Sequence, residues 1–153
     1  MTLTLADIAL LTAVEAADSS TVSQCLQQGA DINAISQNGW TPLMLAVLHG
    51  SAETVKLLLE QGADLNLATQ SEENPSRTAL AVAVSNGRLD AVQALVAHDV
   101  NIHKRDYSGL TPVELAEKLA LRPFHQDQMA AIASFLREKM DSNVRRSLEI
   151  AAA

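Results

Sequence analysis

Four histidines are the side chains of this 153-residue protein that most readily bind metals or exchange protons near neutral pH. They are His49, His98, His103 and His125. None lies in an H-E-x-x-H metalloprotease motif, beside a G-x-S-x-G nucleophile motif or in a phosphate-binding loop. The sequence therefore predicts no active site and no cofactor.

Two weaker arrangements of these residues stay open at this stage. His98 and His103 flank one segment, but no third ligand is spaced to complete a metal site with them. His103, His125 and Asp106 could line a pocket between the turn at 121–128 and the segment after residue 100. A compact pocket of that kind would favour the alternative of a small-molecule- or metal-binding protein or an enzyme.

Cysteine content and composition restrict the class of protein. Cys25 is the single cysteine, which excludes an internal disulfide and favours a reducing compartment, so we expect a cytoplasmic protein. Apolar residues make up 48% of the chain and aromatic residues only 3%, which favours an α-rich fold. The first twenty residues lack a basic start, and no apolar stretch is long enough to span a membrane.

Charge is distributed unevenly along the chain. Residues 1–100 contain 3 Lys/Arg and 11 Asp/Glu, whereas residues 101–153 contain 8 and 7, so the two parts carry net charges of −8 and +1. Binding of nucleic acid depends on clustered Lys and Arg, so a nucleic-acid partner is excluded. The acidic part favours a partner protein with a basic patch.

A repeated pattern sets where all these side chains must lie. Residues 31–63 read DINAISQNGWTPLMLAVLHGSAETVKLLLEQGA, and related segments start at Asp64 and Asn101. Thr41 before Pro42 predicts the start of a helix, and Gly50 predicts its end. Apolar residues three and four apart then predict two short helices per repeat, each with one apolar stripe. Such helices must stack on neighbouring repeats to bury their stripes.

This pattern resembles the ankyrin repeat. The residues that carry the resemblance are Gly39, Thr41, Pro42, Leu43, Ala46, Gly50, Val55, Leu57, Leu58, Gly62 and Ala63. The resemblance implies an all-α solenoid of stacked helix-turn-helix units with projecting hairpin loops. It divides a single domain, residues 1–153, into an N-terminal capping repeat at 5–30, repeats at 31–63 and 64–100, a C-terminal repeat at 101–140 and a tail at 141–153 that either adds a helical turn or frays.

The chain departs from the family pattern in two ways. Met44, Ala81 and Glu114 stand where the family has a helix-start histidine, so the bracing hydrogen bonds of that histidine are expected to be absent. Four extra residues within segment 69–77 predict a projecting polar loop, in which Glu72 and Glu73 are expected to be solvated.

The resemblance also implies where a partner would bind, because ankyrin arrays generally bind proteins with hairpin tips and the exposed side of the first helices. The predicted partner-binding residues are Gln37, Asn38, Trp40, Leu48, His49, Arg77, Asn86, Tyr107 and Leu110. Trp40, Arg77, Tyr107 and Leu110 would form a ladder rich in residue types that dominate interfaces. The competing interpretation is that Trp40 folds back over Leu48 and enlarges the core.

The resulting functional hypothesis is a non-catalytic adaptor or inhibitory, regulatory subunit that binds another protein. It is expected to be monomeric alone and to bind neither nucleic acid nor membranes. A third hypothesis, besides the adaptor and the ligand-binding protein or enzyme, is a structural subunit that self-associates through its concave face.

Overall fold

The computed structural model describes residues 3–70, 75–123 and 125–152. Within these ranges the helices are α1 Leu5–Glu15, α2 Ser19–Gln27, α3 Pro42–His49, α4 Ala52–Glu60, α5 Ala79–Ser85, α6 Leu89–Ala97, α7 Pro112–Ala120 and α8 Gln126–Ala152. Two short strands, β1 Ala68–Gln70 and β2 Pro75–Thr78, pair antiparallel between α4 and α5. The predicted all-α architecture is confirmed, with this small hairpin added.

Threonine caps begin three of the first helices, as the sequence predicts. The hydroxyl oxygens of Thr41, Thr78 and Thr111 each accept a hydrogen bond from the backbone N–H three residues later, at 3.3–3.4 Å. These bonds satisfy N–H groups that have no partner inside the helix. Gly50 ends α3 with a φ of 73°, a left-handed conformation that glycine adopts without steric cost.

The first helices of successive pairs form one layer of the stack. α3 packs between α1 and α5, and α5 packs between α3 and α7. Every residue of α3 from Pro42 to Val47 is buried, and so is every residue of α5 from Ala79 to Val84. The prediction of a single apolar stripe is therefore wrong for α3 and α5, because helices enclosed by two neighbours and a second layer must be apolar on all sides. The end helices α1 and α7 each keep one exposed side.

The second helices keep the amphipathic pattern that the sequence predicts. On α4, Val55 and Leu58 are buried, whereas Lys56 and Glu60 are exposed and form an i,i+4 ion pair. Cys25 on α2 is 5% exposed and belongs to the same core, which confirms it as a small buried apolar residue. Only one side of this layer faces the stack, so a single stripe is sufficient here.

Side chains near the start of each pair bond to the backbone of the next pair. The three bonds join Oδ1 of Asp7, Asn33 and Asn66 to the N–H groups of Asp31, Asp64 and Asn101, at 2.8, 2.9 and 3.2 Å. They connect neighbouring pairs through the loops that lead into the first helices. The stack is thus held by recurrent polar contacts as well as by apolar burial.

The last helix differs in length from the sequence-based expectation. The connection was predicted at 121–128, but α8 begins at Gln126, and the carbonyl of His125 accepts a hydrogen bond from the N–H of Met129 at 3.1 Å. Asp127 in the first turn favours this earlier start by its interaction with the helix dipole. α8 then continues as one helix to Ala152, and its residues from Asp141 to Ala151 are exposed.

Asp18 caps α2 and makes the stability of the fold depend on pH. Its carboxylate accepts hydrogen bonds from the hydroxyls of Thr21 at 2.6 Å and Ser20 at 2.7 Å, and from the Thr21 N–H at 3.1 Å. These bonds lower the pKa of Asp18 from 3.8 to about 2, and the bond from the Thr21 hydroxyl contributes most. Because the folded-state pKa is the lower one, the resulting stabilisation is complete above the unfolded pKa and is lost as the pH falls towards 2.

We expect Asp18→Asn to weaken this pH dependence, because asparagine keeps the capping preference but does not ionise. Denaturant unfolding between about pH 7 and about pH 2 should show a steeper loss of stability in the wild type than in the variant. Asp7 and Glu114, whose pKa values are also lowered, are unchanged in both proteins and cancel in the comparison. Parallel curves for the two proteins would refute the assignment to Asp18.

Candidate partner-binding surface

Three connecting loops, residues 31–41, 64–78 and 101–111, lead from one helix pair into the next. The residues directly before the capping threonines are Trp40, Arg77 and Leu110, which we call the ladder residues. In each loop, a side-chain oxygen accepts a hydrogen bond from the N–H of the ladder residue. The acceptors are Ser36 Oγ for Trp40 at 3.1 Å, Thr69 Oγ1 for Arg77 at 2.9 Å and Asp106 Oδ1 for Leu110 at 3.1 Å. The backbone is therefore fixed in the same way at all three positions.

Tight turns support two of the ladder residues. The N–H of Gly39 donates to the carbonyl of Ser36, and that of Gly109 donates to the carbonyl of Asp106, both at 2.9 Å. Both glycines have positive φ values, 75° and 74°. A residue with a Cβ atom is strained in this conformation, so the glycines allow the chain to reverse within four residues.

A β-hairpin replaces the tight turn in the middle loop. Ala68 pairs with Thr78 and Gln70 pairs with Pro75, which places Thr69 eight residues before Arg77 in the sequence but next to it in space. The hairpin accommodates the predicted four-residue insertion without changing the position of Arg77 relative to its helix cap. The expectation for Glu72 and Glu73 falls on residues 71–74, outside the described residues.

Trp40 is half-buried and packs against the hydrophobic core. Part of the indole thus lies against the core, as the competing interpretation holds, and Leu48 is also half-buried against the core. Trp40 lies just before α3 and Leu48 lies in its last turn. Because the residues between them are enclosed, part of the apolar surface of each side chain is covered. The remaining surface of each side chain is accessible to a partner.

Arg77 is half-buried and held by a contact within its own helix pair. One guanidinium nitrogen donates to Oγ of Ser85 on α5 at 2.6 Å. This bond spans α5 from the residue before its cap, Thr78, to its last residue, Ser85. Because the guanidinium is held in one orientation, less side-chain entropy is lost when it contacts a partner.

The other predicted binding residues differ in exposure. Gln37, Asn38, His49 and Asn86 are exposed, whereas Leu110 is half-buried. Tyr107 is 65% exposed at the tip of the last connecting loop. Exposed polar tips around half-buried ladder residues give the arrangement of a polar rim around an apolar centre.

Electrostatic contacts fix the last loop next to Leu110. The carboxylate of Glu114 accepts hydrogen bonds from the Thr111 N–H at 2.7 Å and from Arg105 at 3.0 Å. The Thr111 backbone bond, the Thr111 hydroxyl and Arg105 together lower the pKa of Glu114. Glu114 is therefore ionised at neutral pH and stays available as an acceptor for both groups.

The structure places Asp106 and His125, two of the three residues considered for a pocket, at opposite ends of α7. Asp106 lies before α7 and its carboxylate bonds to the N–H groups of Ser108 and Leu110, whereas His125 lies after α7, a helix about 13 Å long. A cleft of about 430 Å³ lies between α6 and α8, and none of the three residues lines it. Among the described residues, no three His, Cys, Asp or Glu side chains are placed to hold a metal ion.

No helix within the described ranges is both long and apolar enough to cross a membrane. α8 is the longest of these helices, and charged residues recur along it.

Comparison with known proteins finds two family models, both described as ankyrin repeats. The model for three copies matches residues 5–69, and the model for many copies matches residues 67–116. A Fowlpox virus (strain NVSL) protein described as an ankyrin repeat protein is 33% identical over 112 residues. The match covers 71% of this chain and 18% of the viral protein, so the chain spans less than a fifth of that relative.

Proposed function

Because the chain belongs to the ankyrin-repeat family, whose members are generally protein–protein interaction modules, we propose that it acts as a non-catalytic adaptor or inhibitory subunit. The partner is a protein that contacts the ladder residues and the loop tips around them. This contact blocks, recruits or bridges the partner without chemistry on the chain itself. We place this activity in the cytoplasm, where the single thiol of Cys25 stays reduced.

The observation that carries the proposal is the common support of the three ladder residues. Ser36, Thr69 and Asp106 hold the backbone of three different loops by equivalent bonds of 2.9–3.1 Å, although the middle loop is four residues longer. A surface that is fixed before binding loses little conformational entropy on association. Trp40 and Arg77 are also residue types that frequently dominate interface energies.

Charge favours a basic partner. Residues 1–55 contain five acidic residues and no Lys or Arg, and the excess of acidic over basic residues up to residue 100 is eight. Two of the three connecting loops lie entirely within this acidic part of the chain. A complementary basic patch would accelerate association and make it sensitive to salt.

We expect Trp40→Ala and Arg77→Glu to reduce capture of the partner from the native cell, because each removes or reverses a ladder side chain. Wild type and variants are immobilised in equal amounts, and recovered proteins are quantified by mass spectrometry. Leu121→Ala is the matched control, because Leu121 is 82% exposed and lies in the turn after α7, outside the connecting loops.

A photo-crosslinking amino acid at Asn38 locates the contact independently of affinity. It should form an adduct with the captured protein, whereas the same amino acid at Leu121 should not. Circular dichroism establishes that each variant is folded. If the folded ladder variants recover the same proteins in the same amounts as wild type, the ladder is not the contact surface.

A further inference from the structure

The C-terminal half of α8 extends past the rest of the stack. Met129, Ile132 and Leu136 bury the first half of the helix in the core, and Met140 is half-buried at its edge. Beyond that point Val144 is 57% exposed and Leu148 is 64% exposed. A helical segment of about three turns without packing partners is marginally stable in water. This segment therefore presents an apolar face that a partner would stabilise.

The exposed face continues the buried stripe of the same helix. Met140, Val144 and Leu148 are four residues apart, so they lie along one side of α8. The flanks of this stripe differ in character. Asp141 and Arg145, also four apart, lie on one flank, and the small polar residues Asn143 and Ser147 lie on the other.

We propose that this segment pairs antiparallel with the same segment of a second copy of the chain, about a twofold axis near Val144. In this arrangement Met140 opposes Leu148 of the second copy, and the two Val144 side chains meet at the axis. An antiparallel pair brings the same flank of both helices together, so Asp141 faces Arg145 of the second copy, twice by symmetry. A parallel pair would instead bring opposite flanks together, so Asp141 and Arg145 would face Asn143 and Ser147 of the second copy and form no ion pair.

Charge complementarity is what selects a second copy as the occupant. In the part of the chain that the structure describes, neither Asp141 nor Arg145 makes an ion pair within its own chain. The pattern of acid, apolar residue and base around Val144 is thus complementary to itself when reversed. The pairing uses none of the ladder residues and goes beyond the proposed function. The proposed dimer differs from the monomer expected from the sequence.

Sedimentation of the full chain at increasing concentration tests the pairing. We expect a concentration-dependent dimer, because the patch is small compared with stable interfaces. Val144→Gln with Leu148→Gln should give a monomer and leave the fold intact, since both side chains are exposed and glutamine is a good helix former. Leu121→Gln, at a still more exposed site off this face, should dimerise as the wild type does.

Charge reversal distinguishes this arrangement from other self-association. Asp141→Lys alone and Arg145→Glu alone should each weaken the dimer roughly tenfold, because two ion pairs become repulsive. An equimolar mixture of the two variants should form a heterodimer with both pairs restored, which native mass spectrometry resolves. A wild type that is monomeric up to about 1 mM, or variants that form no heterodimer, would overturn the proposal. Leu5 and Ile8 are exposed apolar residues of α1. If the double variant Leu5→Gln, Ile8→Gln loses the dimer, the contact lies on α1 and the proposal is overturned as well.

Discussion

Replacing Leu58 with alanine is expected to lower the free energy of unfolding by about 2–5 kcal/mol, the range for deleting a fully buried leucine side chain. Leu58 is 0% exposed on α4, which packs against α2, α3 and α6. Because helix pairs in a stack are stable only through their neighbours, a cavity at this position weakens the contacts of α4 with three helices at once. Denaturant unfolding followed by circular dichroism measures the loss.

The neighbouring residue provides the control for this prediction. Leu57 is on the same helix but half-buried, so Leu57→Ala removes the same atoms at nearly the same helix position and should cost about 1 kcal/mol. A difference between the two variants therefore reports burial and not helix propensity. Equal losses for Leu57→Ala and Leu58→Ala would contradict the packing of α4.

Local signals predict the ends of the helices because the relevant interactions lie within a few residues. Thr41 and Thr78 cap their helices through the N–H group three residues later, and glycine after a helix needs only its own backbone freedom. Asp99 stands where the preceding repeat has Gly62 and adopts a positive φ of 59°, as its short polar side chain allows. Such features depend on spacing alone, which the sequence contains.

Contacts between helix pairs are harder to predict, because they depend on distances set by stacking. The bond from Asn33 to Asp64 spans 31 residues, and its only trace in the sequence is the recurrence of Asn two residues after Asp31 and Asp64. The burial of α3 from Pro42 to Val47 is indicated by six consecutive residues without charge, PLMLAV, although the spacing of three of them predicts an amphipathic helix. A continuous apolar run is better evidence for a helix enclosed on all sides.

The candidate binding surface can also be predicted only in part from the sequence. The repeat register places Trp40, Arg77 and Leu110 at equivalent positions, but register does not determine how much of each side chain the core covers. Trp40 is half-buried because it follows a turn that brings the indole against the core, and that depends on the packing of α3. Trp40→Ala thus changes stability as well as binding, so a second predicted binding position, one that is more exposed, is needed to isolate binding.

Tyr107 supplies that position, and Tyr107→Ala is expected to weaken binding of the captured partner about 30-fold, or about 2 kcal/mol, with little change in stability. The side chain is 65% exposed at the tip of the last connecting loop, so its removal should alter the free energy of unfolding by less than about 0.5 kcal/mol. Its ring offers a large rigid contact area and its hydroxyl a hydrogen bond, which together make tyrosine frequent at binding hot spots. Titration calorimetry with the purified partner measures the affinity, and thermal unfolding measures the stability.

Two comparisons decide what this result means. Tyr107→Phe keeps the ring and removes the hydroxyl, so it should retain most of the affinity if apolar contact dominates and should behave like Tyr107→Ala if the hydrogen bond dominates. Leu121→Ala removes an 82% exposed side chain outside the connecting loops and should leave the affinity unchanged. Binding that is insensitive to Tyr107→Ala would place the contact away from the last loop. Equal losses of affinity in Tyr107→Ala and Leu121→Ala would show that the last loop contributes no more to binding than an exposed site outside the connecting loops.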